Sequence, residues 1–171
     1  MTGATSNPLR VVVRAARPDE YERIGEITMA AYRGVGESNE AYYAELRDIA
    51  TRAALVPVLV AVDPGTDHVL GAVTYVPGPG PYFEGAFGED AAAFRMLAVA
   101  EEAQGRGVGR ALVEACIERA RRDGRAAIGI YTRPFMHAAH RLYLSLGFER
   151  YPEIDWAFEP GEWLHAYRLT L

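Results

Sequence analysis

A mixed α/β domain of the α+β kind is the fold class that three features of the sequence predict. Short β-branched runs recur along the chain, amphipathic helical stretches alternate with them, and Gly- and Pro-rich turns separate the two. The 171 residues correspond to one domain, at about 100–200 residues per domain. Residues 1–8 are small and polar and read as a flexible N-terminal tail, which leaves 9–171 as the domain.

The elements follow in order. Residues 9–14 are short and β-branched, a first strand. Pro18, Asp19 and Glu20 open a helix to about Tyr32, with Tyr21, Ile24, Ile27, Thr28 and Ala31 on one face, before Gly34 and Gly36 break it. A second helix is expected over about 40–53, with Tyr42, Tyr43, Leu46 and Ile49 inward. Residues 58–62 and 69–76 read as a hairpin around the turn cluster from Asp63 to Asp67. The Pro/Gly alternation from Pro77 to Pro81 continues neither element, so 77–90 is a long loop of a kind often functional. A strand over 94–99, a helix over 108–122 closed by Gly124, a strand over 126–132 and a helix over 134–146 ended by Gly147 come next. Strands from Phe148 onward and over 164–171 complete the order β-α-α-β-β-β-α-β-α-β-β.

Composition narrows the function. Half of the residues are apolar and 24% are charged, which excludes a disordered chain. A net charge of -5 disfavours a nucleic-acid partner. The longest apolar run, 53–62, contains Pro57 and falls short of the roughly 20 residues of a membrane span. MTGATSNPLR is not a signal peptide, so no membrane partner and a cytoplasmic location are expected. The chain's one cysteine, Cys116, excludes an internal disulfide and a Cys-cluster metal site, and its place on an inward helix stripe suits inert packing. His137 and His140 stand three apart on a helix without a third ligand at matching spacing, so no metal is expected.

The most informative segment runs from Leu97, Ala98 and Val99 through Gln104, Gly105, Arg106, Gly107, Val108, Gly109 and Arg110. A strand enters a turn of alternating glycines and an amphipathic helix leaves it, with Val108, Leu112, Val113, Cys116, Ile117 and Ala120 on its apolar face. Unpaired N–H groups at a helix start carry partial positive charge, and missing Cβ atoms let an anion approach. A dinucleotide fingerprint would need a third glycine at position 110, where Arg110 stands, and the Gly-Lys-Ser/Thr of a P-loop is absent. A plain glycine turn that binds nothing is the alternative.

Gln104-x-x-Gly107-x-Gly109 after the strand Arg95-Met96-Leu97-Ala98-Val99 resembles the acyl-CoA signature of the GNAT superfamily of N-acetyltransferases. Ala139-His140-Arg141-Leu142-Tyr143-Leu144-Ser145-Leu146-Gly147-Phe148 is similar to the same family's A-x-x-L-Y-x-x-L-G-F block. The resemblance implies a central, mostly antiparallel sheet with splayed middle strands flanked by helices. It implies acetyl-CoA as cosubstrate, with its pyrophosphate on the amides from Gln104 to Arg110 and its pantetheine beside Leu97, Ala98 and Val99. Gly129 suits a close backbone approach in the second splayed strand, and a bulge suits it equally.

The activity implied is transfer of an acetyl group to a primary amine by direct attack, with no covalent enzyme intermediate. Tyr143 matches the tyrosine that protonates the departing thiolate in that family, while its helix face, shared with Met136, Ala139 and Leu146, also suits core packing. Where many relatives carry a glutamate base this chain has Ala93. Glu84, Glu89, Asp90, Glu153 and Asp155 are the carboxylates near enough in sequence to be weighed in its place, beside a water chain. Met136 stands where many relatives have an asparagine that contacts CoA. Tyr21, Tyr32, Tyr42 and Tyr43 fall in the helices the family uses to shape its acceptor pocket. The acceptor expected is a small-molecule amine or a peptide, and a homodimer is an assembly common in the family. Competing readings are a non-catalytic acyl-CoA sensor, an enzyme acting on a charged tRNA, and a nucleotide-phosphate binder.

Overall fold

The computed structural model describes residues 10–83 and 85–171. The tail expected over 1–8, Leu9 of the leading strand and the loop carboxylate Glu84 lie outside the described residues. In chain order the elements are β1 (Val12–Ala15), α1 (Tyr21–Gly34), α2 (Glu40–Arg47), α3 (Ile49–Leu55), β2 (Val58–Val62), β3 (Val69–Val76), β4 (Ala91–Val99), α4 (Val108–Arg122), β5 (Ala127–Thr132), α5 (His137–Ser145), β6 (Glu149–Arg150), β7 (Trp156–Glu159) and β8 (Glu162–Thr170). The strands form one sheet in the order β1-β2-β3-β4-β5-β8-β6, with β7 paired to β8. The β4–β5 pair is parallel and the others are antiparallel. This is the mostly antiparallel α+β architecture the sequence predicts.

The hydrophobic pattern explains the layers. Every residue of β2 and β3 is buried, because both faces of these strands are covered. The main core joins Ile24 and Ile27 of α1, the apolar stripe of α4 and the sheet residues Val60, Val73, Phe94 and Ile128. A second, smaller cluster holds Val76, Phe87, Ala91, Ala93, Ala127 and Ala166. No helix among the described residues is long and apolar enough to cross a membrane.

Four elements differ from the sequence reading, each for a physical reason. The helix expected over 40–53 breaks at Asp48, whose carboxylate accepts the Thr51 N–H at 3.1 Å and starts α3. The buried Arg52 guanidinium then donates to the carbonyls of Glu45 (2.9 Å) and Leu46 (3.5 Å) at the end of α2. Strand β4 begins at Ala91, three residues before the expected start, because a run of small alanines has weak strand propensity but packs closely against β5. Helix α5 begins at His137 and not Pro134, because residues 133–136 close a separate turn, the Met136 N–H donating to the Arg133 carbonyl at 3.1 Å, and Met136 (ψ 60°) leaves the helical backbone before the helix starts. The C-terminal segment forms the hairpin β7–β8 around Gly161, whose φ is 83°, where only the second strand was expected.

The β4–β5 seam positions everything that follows. These strands pair only over Ala91↔Ala127, Ala92↔Ile128 and Ala93↔Gly129, and diverge beyond. A Cβ on Gly129 would lie 2.3 Å from the Phe87 ring. The close approach at Gly129 is therefore by Phe87, which wedges into the seam. On the other edge of β4 the ladder to β3 skips from Thr74↔Arg95 to Ala72↔Ala98. Met96 (φ 54°) and Leu97 have no register partner on either side, a bulge exposing backbone to the gap.

Candidate functional site

Two neighbouring chambers flank the divergence of β4 and β5. The larger, of about 810 Å³, runs between the end of α1, the stretch from Leu97 to Val99, the glycine turn and the start of α5. Leu97, Ala98, Val99, Gln104, Gly105, Gly107, Val108, Gly109 and Arg110 all line it. Of the residues expected to bind the cosubstrate, Arg106 alone is absent from that wall.

The turn is built as an anion cradle. After β4 a short 3₁₀ turn over Glu101–Ala103 leads to Gly105 (φ 69°) and Gly107 (φ 85°), two left-handed positions that favour glycine. Gly107 is the N-cap of α4, so no side chain bonds the first amides of that helix. A Cβ on Gly105 would meet nothing within 4 Å, leaving space directly over the turn. Buried Val108, Leu112, Val113, Cys116, Ile117 and Ala120 fix the helix behind it, as their spacing predicts. Arg110 reaches across to α5, where its Nη2 donates to Ser145 Oγ at 2.7 Å.

Tyr143 is buried and absent from the walls of both chambers, its ring packed against Phe94 (5.6 Å between ring centres), Phe148 (5.8 Å) and Tyr167 (6.0 Å). Its hydroxyl has no hydrogen-bond partner among the described residues. Burial pushes the phenol well above its usual pKa, so at neutral pH it holds its proton. His140, one helical turn earlier, stacks on Tyr167 at 5.2 Å, and its Nε2–H donates to the Arg133 carbonyl at 3.1 Å. Burial lowers its pKa, so the ring is neutral at pH 7.

The smaller chamber, of about 260 Å³, meets the larger at Tyr32 and Met136, which line both. Its walls are aromatic: Tyr32, Tyr42, Tyr131, and Trp156 and Phe158 from the β7 hairpin. Of the early tyrosines, Tyr32 and Tyr42 face this space, whereas Tyr43 is buried against Leu46 and donates to the Glu37 carbonyl at 2.7 Å. Glu45 and Arg95 stand on the wall with their charged groups 3.9 Å apart. Arg133 closes one side. It donates from Nε (3.1 Å) and Nη2 (2.9 Å) to Glu37 and from Nη1 (3.2 Å) to Glu162, with the Phe158 ring 4.2 Å from its central carbon.

The carboxylates weighed from the sequence stand elsewhere. Glu89, Asp90 and Glu153 are exposed, and Ala93 presents a buried methyl group between the splayed strands. Asp155 is occupied by Arg150 and by the Ala166 N–H at 2.9 Å; burial opposes its ionisation, yet these partners hold it below the usual carboxylate range. Sequence reasoning did not single out Glu45, Arg133, Trp156 or Phe158. Their one early signal was the aromatic alternation at 156 and 158 in a polar surround.

Comparison with known proteins matches residues 21–148 to the acetyltransferase (GNAT) family model. A mycothiol acetyltransferase from Renibacterium salmoninarum is 30% identical over 151 residues, which are 86% of this chain and 43% of that protein. The chain thus spans less than half the length of that relative. A GCN5-related N-acetyltransferase from Kribbella flavida superposes with a TM-score of 0.69 at 31% identity, covering 94% of this chain and 98% of that one. A GNAT acetyltransferase from Brucella melitensis, solved with acetyl-CoA, shares the fold at 20% identity and a TM-score of 0.63, covering 95% and 88% of the two chains.

Proposed function

The chain belongs to the GNAT acetyltransferase family, and within it we propose that this protein moves an acetyl group from acetyl-CoA to a primary amine by direct attack. The observation that carries the reading is the adjacency of two chambers, one against the glycine turn and one aromatic, with Tyr32 and Met136 in the walls of both. The residues suit the cosubstrate. Left-handed Gly105 and Gly107, with open space over the turn and no capping side chain, leave amides from Gln104 to Arg110 for a pyrophosphate. The unpaired backbone of Met96 and Leu97 offers hydrogen bonds to the amide-bearing arm.

When bound, acetyl-CoA supplies the thioester carbon; a C–N bond forms to the amine as the C–S bond breaks. Holding both reactants across one junction supplies much of the rate. An alkylammonium has a pKa near 10.4 and surrenders one proton to bulk water before attack; the nitrogen loses a second as the amide forms, and this balances the proton taken up by the departing thiolate. Tyr143, kept protonated by burial, is the donor to that thiolate. Ala93 favours a second reading, a non-catalytic acyl-CoA sensor, because the strand position suited to a base holds a methyl group.

Thermal unfolding with acetyl-CoA, ATP and NAD tests the binding half. Ligand at about 100 times its Kd stabilises by about 2.7 kcal/mol, roughly 5–10 °C for a domain of this size. The shift is expected for acetyl-CoA and not the nucleotides; its absence overturns the proposal. Thiol release with amines separates enzyme from sensor. Tyr143→Phe is expected to lower the rate about 100-fold with little change in Tm.

A further inference from the structure

The acetyltransferase reading leaves the acceptor open, and the smaller chamber narrows it. Its volume of about 260 Å³ lies below the roughly 300–1,000 Å³ of sites for drug-sized ligands, so it suits a molecule of about one ring and a short arm. Five of its walls are aromatic, and two of them, Trp156 and Phe158, come from the hairpin at its mouth. Trp156 is 46% exposed and touches Phe158 only edge-on, at 6.5 Å between ring centres. A large apolar side chain thus stands half-exposed on the chamber wall.

Charge selects within that class. Arg133 is taken up by Glu37 and Glu162, a group with one negative charge in excess. Glu45 and Arg95 balance each other at 3.9 Å, and the Glu45 side chain is 41% exposed, free to turn toward a ligand. Both arginines of the wall, Arg95 and Arg133, are thus engaged by carboxylates, and Glu45 is the group on the wall that can receive a cation. A primary alkylamine arrives as ammonium, and the negative faces of the surrounding rings add to its attraction. Among the described residues, Glu45 is the carboxylate on this wall, whereas a polyamine would call for several spaced along a groove.

Resting on the acetyltransferase reading, we propose that the acceptor is a small arylalkylamine, its ammonium received by Glu45 and its ring held against Trp156 and Phe158. The full chain with acetyl-CoA, followed by thiol release, tests this with 2-phenylethylamine, spermidine and a lysine-containing peptide. We expect kcat/KM for 2-phenylethylamine to exceed the other two by about tenfold or more. Trp156→Ala should lower that value about tenfold and lower it much less for ethylamine, which is too short to reach the ring. Glu45→Gln should raise the amine KM more than it lowers kcat. Preference for spermidine or the peptide, or equal loss for both amines in Trp156→Ala, overturns the proposal.

A second readout separates this from failure of the acetyltransferase reading. The chain has 2 tryptophans, Trp156 and Trp163, so saturable quenching of fluorescence by 2-phenylethylamine, lost in Trp156→Phe, reports binding without turnover. Quenching without thiol release keeps the acceptor class and removes the enzyme. Thiol release from other amines without quenching does the reverse.

Discussion

Replacing Arg133 by methionine tests whether the acceptor chamber is held shut by one buried ion pair. The guanidinium is 11% exposed and the Glu37 carboxylate 3%. Glu37 Oε1 keeps two backbone donors, the N–H groups of Ser38 and Asn39 at 2.9 Å each, whereas both bonds to Oε2 come from Arg133. Removing one partner of a buried pair costs about 3–5 kcal/mol. The two amides that remain place Arg133→Met near the lower end, about 3 kcal/mol, and the exposed arm to Glu162 adds at most about 1 kcal/mol. At about 2–4 °C per kcal/mol, Tm falls by roughly 6–12 °C. Glu37→Gln and the double variant complete a cycle in which the double loses less than the sum, with a coupling of about 1.5 kcal/mol or more. Because Arg133 joins the α1–α2 connection, the end of β5 and the β7–β8 hairpin, the amine KM should rise while stabilisation by acetyl-CoA stays as in the parent. A Tm within about 2 °C of the parent, or strict additivity, would refute the reasoning.

Gly129→Ala places a methyl group 2.3–2.6 Å from Phe87 ring atoms. Overpacking of this kind costs about 1–3 kcal/mol, and Phe87→Leu in the same chain should return part of the lost Tm. Asp155→Asn should destabilise at pH 7, because the native carboxyl ionises more readily than the unfolded one. That contribution is complete above the unfolded value near 3.9 and fades as pH falls through the depressed native one, so urea midpoints of variant and parent converge in acid.

Local physics made part of this molecule legible in advance. The hairpin of β2 and β3 and the helix α4 have the boundaries expected of them, because β-branched runs, the Asp63 turn and a terminal Gly124 each decide structure within a few residues. The glycine cradle was readable for the same reason. The break at Asp48 and the early start of β4 were not, since one depends on a buried arginine and the other on alanines packed against a distant glycine. The acceptor chamber was the least legible part. Glu37 and Arg133 are 96 positions apart, and Trp156 joins Tyr32 only once the sheet has formed. No spacing rule connects such residues. The burial of Tyr143 was not legible, as Phe94 and Tyr167, which pack on its ring, come from distant strands.

Three residue pairs, among them four alanines and a glycine, join the two halves of the sheet, and both chambers straddle that joint. Anything seated there touches α1 and β4 on one side and β5, α5 or the hairpin on the other. Ligands held there would act as clamps, and their binding energy would add to a seam joined by three residue pairs. Proteases act on transient openings, so the empty protein should be cut first at this joint and the loaded protein spared. With acetyl-CoA as the ligand proposed above, its supply would bear on how long the chain survives as well as on how fast it turns over.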